Sequence, residues 1–479
     1  MPIQPLPMIV PPYESIDGIE TFDMPSTNVY DGYISSASFL TKRPGLEEYT
    51  NISSSNKITG IHYWEEQDLI ITVSNGDIYK TDSSKVTTQI GTGVGFNTRA
   101  SFASAKIGGA DYLAIASGNR IQLSINGANT TQITDADAPA ESTHVMFVGN
   151  RLVSNDLTVG DESKFFYSEL GNPNDWSALA FVSSNGSPDQ IIAIEKYWNE
   201  VVLFGTRSIE KYYLTDNPTT PFRLRSSTEQ NIGTRSPSSI AFDETEQVYF
   251  FLDNKKDVML YNLNSLTKIS APVDSVIKNL SDVSDFIGNV VAFADKRFYI
   301  LSSVTNNITL VYDIFAQNWV RWGYWNKALN QYDAFLGNVS TFSTSLGYIW
   351  GSRLNNGKIF IQDPDVYSDD GNTIRCSITT GWVNMKTHLS KTFKKVIIRT
   401  KQAPSQDAYF MMNYRVNKEQ GFTTNTPKTI NIGGSQLKPF TQMLHNFGTG
   451  RAIQFEIVCT DDISFVFGAV EIEYTVNRI

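Results

Sequence analysis

Residues 58–82 read ITGIHYWEEQDLIITVSNGDIYKTD. Ile58 to Trp64 and Leu69 to Val73 are apolar runs of strand length on either side of the polar turn Glu65-Glu66-Gln67-Asp68. Ser74-Asn75-Gly76 then turns the chain into Ile78-Tyr79. Strand, tight polar turn, strand, tight polar turn, strand is the pattern of a β-meander.

The same plan returns in residues 238–263, SSIAFDETEQVYFFLDNKKDVMLYNL, and in residues 285–322, DFIGNVVAFADKRFYILSSVTNNITLVYDIFAQNWVRW. Units that start near Lys57, Asn97, His144, Asp189, Ser236, Val283 and Asp333 recur at about 40 to 50 residues, the spacing of propeller blades. One such sheet alone leaves an apolar face exposed, whereas a ring of them buries every face and leaves only short edges. The expected fold is all-β: a β-propeller of six or seven blades, its last blade open to completion by a strand from the other end of the chain.

From Val366 the spacing no longer fits blades. Expected strands at Thr373 to Thr380, Lys394 to Thr400, Ala408 to Val416, Lys428 to Ile432, Ala452 to Cys459 and Ser464 to Tyr474, with a connection at Gly433-Gly434, predict a β-sandwich. The first 50 residues begin Pro-rich, with five prolines in the first twelve, and become Ser/Asn-rich. The expected division is an extended N-terminal arm and propeller lead-in over 1–50, a propeller over 51–365 and a sandwich over 366–479. Such an arm is expected to lie along a neighbour in an oligomer, and its part from Met1 to about Tyr33 to serve assembly more than the fold.

Composition excludes several classes. The chain has 479 residues, 41% of them hydrophobic and 18% charged, which is the balance of a folded protein with a large core. Its net charge of -10 has the wrong sign for gripping phosphate over a broad surface, although a local basic patch can coexist with a negative total. Cys376 and Cys459 are the two cysteines, too few for a disulfide scaffold or a four-cysteine metal site, and both fall in runs that read as β and are expected reduced. No charged leader opens the sequence, and no apolar run reaches the roughly eighteen residues of a membrane span, so a cytoplasm-like compartment and no membrane segment are expected.

Motifs for catalysis are weak. His62, His144, His388 and His445 are far apart in sequence and lie in no metal-binding pattern, and neither a nucleophile elbow nor a phosphate-binding loop occurs. A carbohydrate-binding or carbohydrate-cleaving propeller with paired carboxylates is the alternative. Its candidate acids read as loops and turns: Asp135 and Asp137 with Glu141, Asp369-Asp370, and Asp461-Asp462. The set Asp135, Asp137 and Glu141 could also surround calcium, but the glycine and the regular oxygen spacing of a calcium loop are missing. No cofactor, metal or catalytic residue is expected.

Residues 165–216, FFYSELGNPNDWSALAFVSSNGSPDQIIAIEKYWNEVVLFGTRSIEKYYLTD, carry an ordered set of features. These are Tyr167-Ser168, Asn172-Pro173 and Trp176, then Ser187-Pro188-Asp189 before Ile191-Ile192-Ala193-Ile194, then Phe204-Gly205, Ser208-Ile209-Glu210 and Leu214-Thr215. Physically, Asn172-Pro173 starts a turn, Trp176 packs one blade on the next, and Gly205 permits a bend. In this order they resemble the packaged-DNA stabilisation, or tail hub (nozzle), proteins of short-tailed phages, the podoviruses. The opening MPIQPLPM, Phe39 to Tyr49 with Arg43-Pro44-Gly45, and Val311-Tyr312-Asp313 followed by Trp319 fit the same resemblance.

What the resemblance implies is a virion structural protein of the tail, synthesised in the host cytoplasm. It would be one subunit of a homohexamer below the portal and adaptor proteins, with tail spikes or fibres and a tail needle or plug as neighbours. The ring would close or extend the portal channel, retain packaged DNA, and let double-stranded DNA pass during ejection without sequence-specific binding. The basic residues Lys391, Lys394, Lys395, Arg399 and Lys401, on a strand anchored by Val396-Ile397-Ile398, are the candidates for docking a partner. The lumen of such a ring is expected to be acidic or neutral, with Lys394 and Lys395 turned toward protein.

Overall fold

The computed structural model describes residues 3–5, 28–35, 39–95, 99–184, 189–226, 228–293, 296–403, 405, 407–416, 427–434 and 438–477. Among these, seven four-stranded antiparallel units form a β-propeller, and the remaining long strands form a β-sandwich. The first strands of the seven blades are Ile58–Trp64, Ser101–Ile107, Val145–Val148, Ile191–Tyr197, Ala241–Asp243, Ile287–Phe293 and Gly337–Ser343.

Local chemistry sets the turns. Asn75 and Gly76 both take positive φ, 53° and 80°, the conformation of the two-residue hairpin turn that matches strand twist. Adjacent blades are joined by apolar clusters between their sheets. Trp64, Ile71 and Val73 of the first blade meet Leu113 and Ile115 of the second. Ile58 and Ile61 of the first also meet Val339, Ile349 and Ile359 of the seventh, which closes the ring. The seventh blade takes its outer strand from the start of the chain: Gly45–Asn51 pairs antiparallel with Lys358–Asp363.

The segment expected as an extended arm is therefore corrected from Asn28 onward, where the chain is sheet. Asn28–Tyr30 pairs with Cys376–Thr379, and Leu40–Lys42 pairs with Val466–Val476. Val29, Tyr33, Ile34 and Leu40 are buried in the core these strands share. Three-residue strands are too short to display a period of two, so they read as irregular polar chain. Ile3–Pro5 pairs with Val466–Val476 as well, and the rest of the Pro-rich opening lies outside the described residues.

One sandwich sheet runs Gly32–Ile34, Leu40–Lys42, Val466–Val476, Lys391–Lys401, Pro439–Gly450. The last of these was missed from sequence, because an edge strand reading PFTQMLHNFGTG lacks an apolar alternation. The other sheet is continuous with the sixth blade: Asn318–Arg321 pairs parallel with Asn28–Tyr30, and the sheet passes on through Cys376–Thr379, Gln454–Cys459 and Tyr409–Arg415. A single core cluster accordingly holds Val311 and Val320 of the sixth blade, Trp350 and Phe360 of the seventh, and Phe410, Phe455 and Phe467 of the sandwich.

Candidate functional site

The docking strand divides on inspection. Lys391 is wholly buried, and its ammonium donates to the carbonyls of Thr387, Leu389 and Arg451, each at 2.7 Å. Its candidacy as a docking residue is thereby corrected: a buried ammonium surrounded by carbonyls closes a loop and meets no partner. Lys395 pairs with Glu473 at 3.0 Å, and Arg399 binds Glu471 through two bonds of 2.9 and 3.3 Å. The neighbouring strand supplies both carboxylates, an opposite-charge pairing that the pleat favours. Lys394 and Lys401 are exposed.

At the joint between propeller and sandwich stands Arg43, fully buried. Nε donates to Asp31 at 2.8 Å, Nη1 and Nη2 reach the two oxygens of Asp369 at 3.0 and 2.5 Å, and Nη2 also meets the Gly323 carbonyl at 2.9 Å. The guanidinium lies over Phe335 at 4.8 Å and Trp322 at 5.8 Å. Burial opposes its charge, yet Asp369 and Asp31 hold its pKa above the usual value, while burial lifts Asp31 to about 6. Gly45 follows in the same motif because a Cβ there would stand 2.0 Å from the Ser368 carbonyl oxygen. Next to it Lys42 is also buried, its ammonium pulled below the usual value by burial and bonded to the Asp461 carbonyl at 2.6 Å. Cys376 and Cys459 are register partners across adjacent strands, both buried and unbridged, with burial pushing both thiols up.

Residues of the resembling stretch have structural tasks. The Asp189 carboxylate accepts from the Thr206 hydroxyl at 2.5 Å and from the Arg207 and Ser208 amides at 2.8 and 2.9 Å, tying the entry of the fourth blade to its second turn. Burial would raise this carboxyl, but those bonds hold it below the ordinary range. In the sixth blade the Asp285 carboxylate accepts from the Ser303 hydroxyl at 2.7 Å and the Thr305 amide at 2.9 Å. Trp176 is buried between the second and third blades, its indole N–H on the Pro173 carbonyl at 3.0 Å.

The suspected carboxylate pairs do not form sites. Asp135 accepts the amides of Trp176 and Asp137, Asp369 is taken by Arg43, Asp370 pairs with Lys358, and Asp461 and Asp462 accept the amides of Tyr409 and Tyr367. No group of three metal-ligating side chains converges among the described residues.

Four groups that sequence reading left scattered converge on the propeller axis. The first strands, or the residues just before them, enclose a cavity of about 310 Å³, with His62, Phe102, His144, Glu195, Phe242, Asn289 and Thr341 contributed one from each blade. Arg99 precedes the first strand of the second blade and reaches the fifth and sixth. Its Nη1 donates to the Gly288 carbonyl at 2.7 Å, with the Ser238 and Ile240 carbonyls at 3.5 Å, so the side chain bars one end of the axis. Burial raises Glu195 to about 7 against the pull of Arg99, and burial lowers His62 and His144 to about 4. Their position within each repeating unit, at the start of a blade, was the signal that could have grouped them.

Comparison with known proteins adds a family. The family model described as Bacteriophage P22 Gp10, beta-propeller, matches residues 24–344. No curated protein sequence matches the chain. Solved structures with some likeness include the extracellular domain assigned to a one-component system of B. thetaiotaomicron, with TM-score 0.43 and 12% identity over 70% of this chain and 45% of that one. Another is YCF48 from Cyanidioschyzon merolae, with TM-score 0.41 and 13% identity over 65% of this chain and 97% of that one. A third is an exo-beta-1,3-galactanase from Phanerochaete chrysosporium, with TM-score 0.29 and 9% identity over 82% of this chain and 98% of that one. The chain spans less than half the length of the first of these.

Proposed function

The chain belongs to the phage stabilisation family of the bacteriophage P22 Gp10 β-propeller, a family of phage structural proteins, and from that premise we propose that it is a tail hub or nozzle subunit. In this reading it is a non-catalytic component of a podovirus tail. Copies assemble as a homohexamer below the portal and adaptor, extend or close the channel, retain packaged DNA, and carry tail spikes or fibres and a needle or plug.

The observation that carries the reading, beyond the family, is the unbroken joint. A sheet that runs from the sixth blade into the sandwich, with Arg43 locked beneath it, leaves no hinge between the two parts. A subunit that must hold pressurised DNA benefits from such stiffness. The propeller axis is not the conduit in this reading: a 310 Å³ cavity barred by Arg99 cannot admit a duplex whose major groove alone is about 12 Å wide. DNA would instead pass between copies, along the axis of the ring.

The carbohydrate-cleaving alternative needs two carboxyl groups flanking one bond. Among the described residues Glu195 is the one carboxylate lining the axial cavity, which does not favour that chemistry. Lys394 and Lys401 remain as exposed cations for a partner contact, while Lys395 and Arg399 are engaged within the sheet.

Light scattering on the chain alone and mixed with its portal and adaptor tests the proposal. Rings of six, or addition of copies to the adaptor, are expected. A chain that stays monomeric and never joins the adaptor would overturn it, since a subunit that needs its adaptor to assemble must still bind there.

A further inference from the structure

The axial cavity holds two opposite charges that do not satisfy one another. Glu195, from the fourth blade, and Arg99, at the entry to the second, both line it and interact electrostatically, yet among the described residues they form no ion pair. Arg99 spends Nη1 on a backbone carbonyl. The Glu195 side chain is half-buried at the cavity wall and no described residue hydrogen-bonds to it, and the buried Nε2 of His62 has no partner there either. Keeping an ionisable group unpaired in the interior is costly, so a fold that does so at the wall of an open cavity has placed it where a ligand can meet it.

We propose that this cavity binds a small organic zwitterion, its ammonium group against Glu195 and its carboxylate toward the Arg99 guanidinium. The volume agrees: about 310 Å³ stands at the lower end of ligand pockets and suits a molecule the size of an amino acid. So does the rest of the wall. The hydroxyls of Ser101, Ser340 and Thr341 line the wall, each already bonded once or more within the fold to Val145, Asn289 and Tyr63 respectively, and the Phe102 ring, stacked on His62 at 5.5 Å, offers an apolar flank for a methylene chain. A ligand of one sign would meet one charge and be repelled by the other. A metal ion fits less well, because the described donors do not converge as a ligand set. The site lies within one propeller, so its test is independent of ring assembly.

Titration calorimetry on the full chain with glycine, β-alanine and γ-aminobutyrate, and with butyrate and butylamine as single-charge controls, decides the matter. At least one zwitterion is expected to bind with Kd below about 1 mM, and both controls to bind roughly tenfold more weakly or worse. Glu195→Gln is expected to lose at least about tenfold in zwitterion affinity, and Glu195→Asp, which keeps the charge on a shorter stem, to retain binding and favour a longer zwitterion. Imidazole resonances of His62 and His144 should shift with the bound zwitterion. Absence of binding up to about 10 mM, equal binding of a single-charge control, or undiminished binding by a folded Glu195→Gln chain would each overturn the proposal.

Discussion

Arg43 and Asp369 lie 326 residues apart in the chain and meet in a buried two-point pair, Nη1 to Oδ1 at 3.0 Å and Nη2 to Oδ2 at 2.5 Å. The contact ties the lead-in of the seventh blade to the short strand Ser368–Asp369 that follows the last propeller strand, while Nε of the same guanidinium holds Asp31 of the sandwich lead-in. One side chain thus fastens three segments that converge at the joint. Fork-to-fork geometry of this kind is available to arginine and not to lysine.

Breaking that pair is expected to be expensive. Asp369→Ala leaves the guanidinium in an apolar setting with Asp31 as its one carboxylate partner, and the loss of one member of a buried pair costs about 3–5 kcal/mol. Urea unfolding followed by tryptophan fluorescence measures it. A change under about 0.5 kcal/mol would mean that water reaches the guanidinium and that the joint does not depend on it.

Two lysines three residues apart should behave in opposite ways. Lys391→Ala removes an ammonium that three carbonyls surround and is expected to destabilise the fold by about 2–4 kcal/mol. Lys394→Ala, on the exposed surface, should stay within about 0.5 kcal/mol of the parent and yet weaken adaptor binding if this strand docks a partner. Equal stability of the two variants would contradict the burial pattern, and unchanged adaptor binding would remove Lys394 from the interface.

Glu195 should make stability fall as pH rises. Its carboxyl titrates near 7 in the folded chain against an ordinary value of 4.5. Between those values the folded state keeps a proton that the unfolded state has lost, so this group's contribution declines across that window and is fully unfavourable above it. His62 and His144, lowered to about 4, act in the opposite direction below their ordinary 6.5, because the unfolded chain protonates them and the folded chain does not; they are common to parent and variant, so the effect of Glu195 is read from the difference between the two. Glu195→Gln should therefore match the parent near about pH 4 and exceed it by about 1–3 kcal/mol near about pH 8. A difference independent of pH would show that Glu195 is not the titrating group.

The contrast between these sites marks how far the sequence could be read. The starts near Lys57, Asn97, His144, Asp189, Ser236, Val283 and Asp333 each fall just ahead of a blade's first strand, because a meander writes its strands and turns locally, in residues a few positions apart. Nothing local announces that Arg43 will meet Asp31 and Asp369, or that Lys391 rather than Lys394 will be buried. The first depends on chain closure, since Gly45–Asn51 reaches its partner strand across more than 300 residues of intervening propeller, and the second on a carbonyl of Arg451, 60 residues further along the chain. Arg99, Glu195, His62 and His144 carry no shared local motif, and their one common signal is a place at the start of a blade, since they become neighbours when the seven first strands surround one axis.

Truncation separates the opening residues from the strands that follow. Deleting residues 1–27 removes Ile3–Pro5 but keeps Asn28–Tyr30 and Gly45–Asn51, and should leave cooperative thermal unfolding intact while impairing assembly. Deleting residues 1–51 strips the outer strand from the seventh blade and Val29, Tyr33, Leu40 and Leu46 from the core, and should abolish cooperative unfolding. Removal of four such buried side chains, together with the broken strand pairing, outweighs a typical stability of about 5–15 kcal/mol. A folded protein after the longer deletion would show that blade closure is dispensable.

The last prediction concerns DNA. All first-to-second strand turns lie on one face of a propeller, and among the described residues two of them present exposed carboxylates: Glu65, Glu66 and Asp68 in the first blade, Glu244 and Glu246 in the fifth. With a net charge of -10, this surface has little to offer a phosphate backbone. Each lysine or arginine that neutralises a phosphate adds to an affinity that falls steeply with salt. On the basic strand, Lys395 and the exposed Arg399 already face Glu473 and Glu471, which leaves Lys394 and Lys401 as its exposed cations outside an ion pair among the described residues. Two cations correspond to a log–log salt slope of roughly -2, too shallow to retard a moving duplex. Double-stranded DNA binding by the purified chain should accordingly be negligible at physiological salt and weak at low salt. Tight binding with a slope of roughly -6 or steeper would mean that several basic residues act together on DNA, and that the ring grips what it conducts.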